Sequence, residues 1–565
     1  MSTLPATLAD AVRAYAHHTQ RGFTFVRTDG TERHYPFQEI HAEATRRGAF
    51  LRELGLKKGD RVGFVLPEPE EFVLSFLAAT NAGMVPVPMY PQLSFKNVDS
   101  YHETVGHILK ASGARVLLTG KSTYDFVAPV KEKTPTLERI ELVESLAGFS
   151  GSFEEGVSPS DLAFLQFTSG STSKPKGVAV THANLAANAQ AIMIDGLQKN
   201  SETDKAVSWL PLYHDMGLIG FVVSPMFTEF ASVFIPTPSF IRAPRIWLEK
   251  IHQHRGTITY APNFAYGLVV KRIKEGDLAG IDLSCLRVAG CGAEPIHAKT
   301  LRDFAAKLAP AGFKPTSFLP SYGMAEATLA ISFEILNTGM RTEVVLAESL
   351  TQGFAKAASK EDAAIEGKTQ EIVNCGRTFP AHEIRIVDES GAAVGERVVG
   401  QVIVKGPSVT SGYFQEPELS KDAFKDGWLY TGDLGFMTGE GLFICGRLKD
   451  LIIIRGRNYF PSDLEWSVGE LPGVKRGNCV AFSVPVNGEE QLVICAEAHS
   501  SEAATLPDLI SKRITDEHAL SVYKVELVPQ GTLPRTSSGK VQRRKTREMF
   551  LTGTLPKRAT STPTA

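Results

Sequence analysis

A short stretch rich in glycine, hydroxyl and lysine side chains has the composition of a phosphate-binding loop. It reads Phe167-Thr168-Ser169-Gly170-Ser171-Thr172-Ser173-Lys174-Pro175-Lys176-Gly177-Val178 and follows the apolar run Leu162 to Phe167. Glycines let backbone N–H groups turn toward an anion, hydroxyls add donors, and lysines add positive charge. The stretch therefore predicts a cradle for a polyphosphate, although a solvated Ser/Gly linker has a similar composition.

The spacing of this loop differs from that of the P-loop of kinases and GTPases. Counted from Gly170, the second glycine that a P-loop requires falls on Pro175. Pro175 and Gly177 also prevent a helix from starting directly on the loop. We therefore expect a strand–loop–strand arrangement, with the next helix beginning near Thr181-His182-Ala183-Asn184.

Two further motifs place polar groups just after expected strands. One is Trp209-Leu210-Pro211-Leu212-Tyr213-His214-Asp215-Met216-Gly217, and the other is Gly290-Cys291-Gly292-Ala293-Glu294-Pro295. In a parallel sheet, backbone at such positions meets a ligand bound at the carboxyl ends of the strands. Taken alone, His214 is more often a structural histidine, and the second motif also fits a simple tight turn.

Two later motifs carry carboxylates. In Ser321-Tyr322-Gly323-Met324-Ala325-Glu326-Ala327-Thr328, the ring can stack on a purine and the carboxylate can hold Mg²⁺ against phosphate oxygens. Trp428-Leu429-Tyr430-Thr431-Gly432-Asp433 presents an aspartate that can bind ribose hydroxyls. The alternatives are an exposed glutamate at a helix start and an Asx turn, respectively.

The composition is that of an ordinary globular protein with several subdomains. The chain has 565 residues, of which 43% are hydrophobic and 22% charged. Sixty basic residues against 62 acidic ones give no global field that would attract nucleic acid or a membrane. Six scattered cysteines without a CxxC pair favour a reduced, cytoplasmic setting, and no stretch has the apolar length of a signal peptide or membrane span.

One local exception to this charge balance is Arg535 to Arg547, which holds six basic residues and no acidic one. Because it lacks interleaved aromatic residues and a basic domain around it, it is a weak candidate for a nucleic-acid patch. We expect a solvated basic helix face. It includes a flexible loop, Arg535-Thr536-Ser537-Ser538-Gly539-Lys540, that carries one lysine.

The chain that must position these motifs alternates helix and strand signals, which indicates parallel sheets covered by helices. The expected strands are Arg61 to Leu66, Val85 to Val87 and Arg115 to Thr119 before the cradle, and Ala206 to Leu210, Ser232 to Ile235, Thr257 to Tyr260, Cys285 to Ala289 and Thr316 to Leu319 after it. Two α/β lobes therefore flank the cradle. After about residue 375, short strands between Gly, Pro and Asp turns predict a small barrel, followed by a compact α+β domain.

The order of the motifs resembles that of the adenylate-forming superfamily of acyl-CoA synthetases, adenylation domains and luciferases. The cradle, YHDMG, GAEP, SYGMAEAT, TGD, GRLKD and Ser-Gly-Lys occur in this order between about residues 10 and 550. Trp209 to Gly220, Gly376 to Asp388 and Gly446 to Glu465 resemble the fatty acyl-AMP ligases in particular. A surplus of chain around Leu346 to Asn374 resembles the insertion of these ligases.

The resemblance implies an α/β protein of several subdomains. Residues 1–446 would form a large N-terminal domain of two α/β lobes plus a distorted β-barrel, and 451–555 a small mobile α+β C-terminal domain. Residues 447–450 would be a hinge, and 556–565 a disordered tail. We expect the insertion, about 346–374, to be a surface element packed by anchors such as Phe354 and Ile365.

The motif match also implies a role for each site residue. Lys540 would bridge the acyl carboxylate and the α-phosphate, His214 would lie beside that carboxylate, and Glu326 would bind Mg²⁺. Asp450 would act as the hinge residue, and Phe221 to Phe230 or Phe264 would line the acyl pocket. ATP or AMP would be held by Thr168, Ser169, Gly170, Ser171, Thr172, Lys174, Lys176, Gly292, Ala293, Glu294, Tyr322, Gly323, Met324, Asp433 and Arg447.

The implied function is ATP- and Mg²⁺-dependent activation of a fatty acid to an acyl-adenylate, with release of pyrophosphate. The acyl group would pass to the phosphopantetheine thiol of an acyl carrier protein, as in polyketide or lipopeptide biosynthesis. The alternative is a long-chain fatty acyl-CoA synthetase, against which only the insertion and the details of 446–465 argue. A non-catalytic adenylate-binding protein would be expected to lack Lys540 or Glu326, and both are present.

Overall fold

The computed structural model describes residues 4–92, 98–146, 149–154, 156–168, 174–498, 505–536 and 540–556. The chain divides into two compact units. The first comprises Met1–Met340, Cys375–Ile384 and Val404–Tyr430, and the second comprises Arg341–Asn374, Arg385–Ile403 and Thr431–Ala565. The domain boundaries expected near 446, 450 and 555 stay a prediction.

The first unit is built on two sheets with parallel centres. The nine-stranded sheet has the order Arg377–Thr378, Ala330–Phe333, Phe318–Gly323, Val288–Cys291, Ile258–Ala261, Lys205–Ser208, Ala231–Phe234, Gly22–Val26 and Glu32–Pro36, with antiparallel strands only at its edges. The parallel four-stranded sheet has the order Val85–Pro88, Arg61–Val65, Val116–Thr119 and Arg139–Leu142. The two predicted α/β lobes are therefore present.

Helices that present an apolar stripe cover these sheets. Ala298–Leu308, for example, buries Leu301, Phe304 and Leu308. The helices of the first unit are Leu8–Ala14, Phe37–Glu53, Pro69–Asn81, Val98–Ser112, Lys121–Val127, His182–Ala189, Asp215–Leu218, Ser224–Phe227, Thr237–Arg242, Arg245–His254, Asn263–Arg272, Ala298–Leu308 and Pro417–Ala423. In the described parts of the chain, no helix has both the length and the apolar composition to cross a membrane.

The second unit combines short antiparallel pairs with a small α+β sheet. The pairs are Thr342–Leu346 with Thr369–Val373 and Ile452–Ile454 with Arg457–Tyr459; the sheet contains Val474–Val486, Glu489–Ala498 and Val522–Val528. Its helices are Ala347–Thr351, Lys360–Ala363, Pro461–Gly469, Leu506–His518 and Arg543–Leu551.

The turn-rich stretch after residue 375 forms the strands Glu383–Val387, Gly400–Lys405, Phe424–Lys425, Trp428–Thr438 and Gly441–Arg447. The predicted fold class is confirmed.

Two strands expected at Cys285 to Ala289 and Thr316 to Leu319 lie later in the chain, at Val288–Cys291 and Phe318–Gly323. Glycine is read in a sequence as a turn signal. Here Gly290 lies within a strand, and a Cβ at that position would be 2.0 Å from the Tyr260 ring. The missing side chain therefore permits close packing and does not end the strand.

Candidate active site

The predicted phosphate loop joins two paired strands. Leu162–Thr168 and Lys176–Thr181 are antiparallel, with Thr168 opposite Lys176. Helix His182–Ala189 follows, capped by the Thr181 hydroxyl, which accepts a 3.2 Å hydrogen bond from the Asn184 N–H. The strand–loop–strand prediction is confirmed. Ser169, Gly170, Ser171 and Thr172 lie outside the described residues, and Lys174 is exposed.

Neighbouring parallel strands bring two other motifs together. Gly290 pairs with Leu319, so the residues after the first strand lie beside the end of the second. A Cβ on Gly292 would lie 2.9 Å from the carbonyl oxygen of Ser321. Next to it, Ala293 has a φ of 68°, a left-handed conformation that costs a non-glycine residue roughly 1–3 kcal/mol and clusters at functional sites.

Glu294, expected at the nucleotide, forms a tie between two loops. Its Oε1 accepts a 2.6 Å hydrogen bond from the backbone N–H of Phe264. Phe264 is the second residue of the helix Asn263–Arg272. The Glu294 carboxylate therefore links the loop after the strand Val288–Cys291 to the helix after the neighbouring strand Ile258–Ala261. This contact favours a role for Glu294 in orienting the loop.

Glu326 is held by a residue that belongs to none of the motifs. It lies in a single helical turn, Ala325–Ala327, and its Oε1 accepts a 2.8 Å hydrogen bond from the phenol of Tyr413. Lys176 Nζ lies 5.1 Å from the centroid of the Tyr413 ring. Tyr413 therefore connects the expected metal ligand to the strand that follows the phosphate loop. No spacing in the sequence relates it to Glu326, and only the tertiary fold reveals it.

The donor set around Glu326 fits a nucleotide-bound Mg²⁺ better than a resident metal. Among the described residues, no group of three or more His, Cys, Asp or Glu side chains could hold a metal ion. Mg²⁺ keeps several waters and is usually bound by one or two carboxylates plus substrate phosphates. A half-buried carboxylate whose partner Tyr413 has its ring centroid 5.1 Å from the Lys176 ammonium matches that mode.

An apolar pocket lies at the same edge of the sheet, with about 720 Å³ of empty space that includes open solvent. It is lined by Ile192, Met193, Leu197, Ala206, Asp215, Met216, Gly220, Phe221, Pro225, Phe230, Ile258, Tyr260, Gly292, Ala293, Ser321, Tyr322, Gly323, Leu329, Ala330 and Phe333. Two π-helical segments, Gln190–Gly196 and Ile219–Val223, supply part of this lining. Such segments are frequent at functional sites. Phe264 is not part of the lining, and it is 43% exposed.

His214 lies directly before residues that line this pocket. It is the N-cap residue of Asp215–Leu218, and its ring centroid is 4.9 Å from that of Tyr213. A Cβ on Gly217 would lie 2.3 Å from the carbonyl oxygen of Pro211, so the turn is closely packed. The fold thus brings the His214 turn, the Gly292 loop and the Tyr322 strand end to one pocket; their roles stay a prediction.

In the second unit, the structure brings Asp433 and Arg447 together. They are cross-strand partners, and Arg447 Nε donates a 3.0 Å hydrogen bond to Asp433 Oδ1. The Asp433 side chain is 8% exposed and that of Arg447 56%. Because the carboxylate is buried and oriented while the guanidinium reaches solvent, the pair suits a ribose hydroxyl and a phosphate side by side.

Lys540, in the same unit, is hydrogen-bonded to Thr536 through its backbone. Its N–H donates to Thr536 Oγ1 at 3.1 Å, and its carbonyl accepts from the Thr536 N–H at 2.7 Å. The side chain of Lys540 is exposed. A lysine presented in this way is accessible to an anionic substrate.

The segment Leu346 to Asn374 packs differently from the expectation. Its expected anchors, Phe354 and Ile365, are 42% and 53% exposed. Its buried apolar residues are Leu350, Ala355, Ile372 and Val373, and the first three join a cluster with Phe436, Phe443 and Phe460. Phe354 and Ile365 are therefore wrong as anchors, because Leu350, Ala355 and Ile372 pack against the strands that carry Phe436 and Phe443 instead.

Polar contacts also tie this segment to the stretch expected to form the small domain. Gln370 Nε2 donates a 2.6 Å hydrogen bond to Asp463 Oδ2, and burial raises the pKa of Asp463 to about 7. Arg513 lies 3.9 Å from Glu366, and Arg457 lies 3.5 Å from Glu348. The insertion is therefore fastened at several points along its length.

The fold is that of an adenylate-forming enzyme. Residues 12–414 match the model of the AMP-binding enzyme family, and residues 449–560 match that of the Disco-interacting protein 2-like AMP domain. The chain belongs to the AMP-binding enzyme family. Within it, the resemblance to fatty acyl-AMP ligases is confirmed by relatives that span nearly the whole chain.

A putative acyl-CoA synthetase from Caulobacter vibrioides is 36% identical, covering 92% of this chain and 91% of the relative. The medium-chain-fatty-acid–[acyl-carrier-protein] ligase JamA from Moorena producens is 32% identical, covering 97% of this chain and 96% of JamA. A solved structure from studies of fatty acyl-adenylate ligases of E. coli and L. pneumophila has a TM-score of 0.90 and 35% identity, covering 97% of this chain and 98% of its own.

Proposed function

We propose that this enzyme activates a fatty acid as its acyl-adenylate and then transfers the acyl group to the phosphopantetheine thiol of an acyl carrier protein. The observation that carries the first step is the apolar pocket whose lining includes Tyr322 and Gly292, residues expected at the nucleotide. Such a pocket suits an alkyl chain, with the carboxylate toward the polar edge. The similarity to fatty acyl-adenylate ligases supports this substrate class.

In the first half-reaction, a carboxylate oxygen of the fatty acid bonds to the α-phosphorus of ATP. The bond from that phosphorus to the oxygen bridging to the β-phosphate breaks, and pyrophosphate leaves. This step needs alignment and charge neutralisation, and it needs no covalent nucleophile. Lys540 would neutralise the carboxylate and α-phosphate, while Lys174 and Lys176 would hold the pyrophosphate. Mg²⁺, when bound with Glu326 as its protein ligand, supplies further neutralisation of phosphate charge.

The remaining site residues would orient the substrates. Tyr322 would stack on the adenine, and Asp433 with Arg447 would hold the ribose and a phosphate. His214 would direct the carboxylate at the pocket edge. Each of these contacts fixes geometry before the reaction, which is where enzymes gain much of their rate.

In the second half-reaction, the thiolate sulfur of the carrier bonds to the acyl carbonyl carbon, the bond to AMP breaks, and AMP leaves. A carrier thiol is favoured over CoA because contacts such as Gln370–Asp463 would restrain the small domain in the adenylating arrangement. The name of JamA supports a carrier, whereas the name of the Caulobacter relative supports the alternative, an acyl-CoA synthetase.

One incubation series tests both steps. The enzyme is given ATP, Mg²⁺ and fatty acids of increasing length, alone, with CoA, or with a phosphopantetheine-loaded acyl carrier protein, and the products are separated. We expect acyl-AMP in every arm, acyl-carrier in the last arm, and little acyl-CoA. Acyl-CoA formed as fast as acyl-AMP would identify a synthetase, and absence of acyl-AMP with every acid would refute fatty-acid activation.

A further inference from the structure

Much of the basic run from Arg535 to Arg547 is engaged inside the second unit. Arg535 Nη2 donates to the carbonyl of Gly477 at 3.0 Å, and Arg547 Nε donates to that of Ser483 at 2.8 Å. Arg543 has a side chain only 22% exposed and forms ion pairs. The expectation of a solvated basic helix face is therefore wrong for Arg543 and Arg547, which are partly buried, whereas Arg535 is exposed.

Arg543 joins carboxylates from two different parts of the unit. Its Nη1 lies 2.5 Å from Asp450 Oδ2, and its Nη2 lies 2.8 Å from Glu465 Oε1. The same Glu465 oxygen accepts a 3.0 Å hydrogen bond from the Ala481 N–H. Asp450 and Glu465 are only 19% and 20% exposed, so without the arginine their like charges would repel each other with little screening.

The same arginine lies close in sequence to the lysine expected in catalysis. Arg543 follows Lys540 by three positions and begins the last helix. Between them the backbone is pinned, because the Gln542 N–H donates to the carbonyl of Pro534 at 2.7 Å and Thr536 is bonded to Lys540. Three residues span at most about 10 Å when extended. A displacement of Arg543 is therefore passed on to Lys540.

We propose that Arg543 is a positioning residue that fastens the expected hinge residue Asp450 and the backbone at Lys540 into one body, and so sets the position of the Lys540 ammonium during adenylation. The role of Lys540 in this statement rests on the proposed function. The planar guanidinium can meet both carboxylates with separate N–H donors, which the point charge of a lysine does less well.

The test is a double-mutant cycle of Arg543→Met with Lys540→Ala, read as kcat and as KM for ATP in pyrophosphate release. Alone, Arg543→Met should lower kcat between about 10-fold and 100-fold, because a misplacement of about 1 Å can cost that much. KM for ATP should change little, since the phosphate loop is elsewhere. In the Lys540→Ala background, the same substitution should lower kcat less than about twofold, because residues acting as a unit are non-additive.

Two further variants separate positioning from general loosening. Arg547→Met is the matched control on the same helix, since it removes a contact with Ser483 and none with the hinge, and it should retain kcat. Arg543→Lys should recover part of the loss. Equal losses from Arg543→Met in both backgrounds would overturn the proposal, because a structural defect does not depend on Lys540.

Hydrogen exchange gives a readout that needs no substrate. Arg543→Met should speed exchange at Asp450–Leu451 and at Val541–Gln542 together, while the sheet residues Val493–Cys495 stay protected. Unchanged exchange at either of the first two segments would refute the fastening, whatever the activity. A wild-type enzyme that adenylates no fatty acid would instead refute the proposed function.

Discussion

The phenol of Tyr413 donates a 2.8 Å hydrogen bond to Glu326 Oε1, so the expected Mg²⁺ ligand is an oriented carboxylate. A hydrogen bond to an ionised carboxylate favours its charged form. The Lys176 ammonium near the same ring places the strand after the phosphate loop against this pair. Tyr413 therefore orients the Glu326 carboxylate in a way that suits binding of Mg²⁺ complexed with nucleotide phosphates.

Glu326→Gln keeps the shape of the side chain but should weaken its contact with Mg²⁺ and so lower activity. Raising the Mg²⁺ concentration should recover part of the lost activity. Tyr413→Phe removes one hydrogen bond to a charged group, worth roughly 1.5–3 kcal/mol, and should raise the Mg²⁺ needed for half-maximal rate about tenfold. Pyrophosphate release measured over a Mg²⁺ titration checks both, with the exposed Tyr124→Phe as control. Full activity of Glu326→Gln at low Mg²⁺ would make it a structural glutamate.

Lys540→Ala should slow adenylate formation by on the order of a hundredfold or more, because it removes a charge interaction made mainly in the transition state. ATP binding should change far less, since the phosphate-loop lysines remain. Lys545→Ala is the matched control, an exposed lysine on the following helix. A rate of acyl-AMP formation near that of the wild type would contradict the assignment.

Under the proposed function, the insertion contacts predict how CoA would be excluded. Gln370→Leu removes the donor to Asp463 and should allow some acyl-CoA to form while acyl-AMP formation persists. Shortening the exposed part of 356–368 should have a larger effect in the same direction. Gln352→Ala, an exposed residue of the same insertion, is the control. If the shortened enzyme still makes no acyl-CoA, the cause lies in the CoA-binding surface itself.

At the expected hinge, two residues, Leu448 and Lys449, lie between two anchored ones. Arg447 is held by Asp433 and Asp450 by Arg543, whereas the intervening Leu448 is 42% exposed. Arg447 has φ −112° and ψ 133°, which a residue before proline prefers. Leu448→Pro should therefore restrict the backbone at the expected pivot and affect adenylation and carrier transfer unequally. Equal losses in the two separately measured half-reactions would argue against a pivot here.

A buried histidine makes the first unit sensitive to acid. His182 accepts a 3.1 Å hydrogen bond from the Leu8 N–H, and burial lowers its pKa to about 4. The unfolded chain takes up a proton below about pH 6.5 and the folded one only near pH 4, so stability falls as the pH drops through this window, by up to about 3 kcal/mol. Urea unfolding at pH 7.5 and 5 should show this loss, and His182→Gln should flatten it. An equal slope in the variant would assign the loss to other groups.

The sequence alone determined the motif order and the class of fold, and it predicted a phosphate loop. These features are local: glycine, hydroxyl and lysine side chains act within a few positions, and helix and strand periods are read over short windows. The strand–loop–strand around Thr168 and Lys176 and the helix after Thr181 follow from such rules, and the structure has them.

The tertiary structure alone decided which distant residues meet. Tyr413 reaches Glu326 across 87 positions, Arg543 reaches Asp450 across 93, and Gln370 reaches Asp463 across 93. Strand register also moved the expected strand at Cys285 to Val288–Cys291, because close packing of Gly290 against Tyr260 outweighed its turn tendency. Such pairings depend on how whole elements pack against one another, and no local pattern of residue types encodes them.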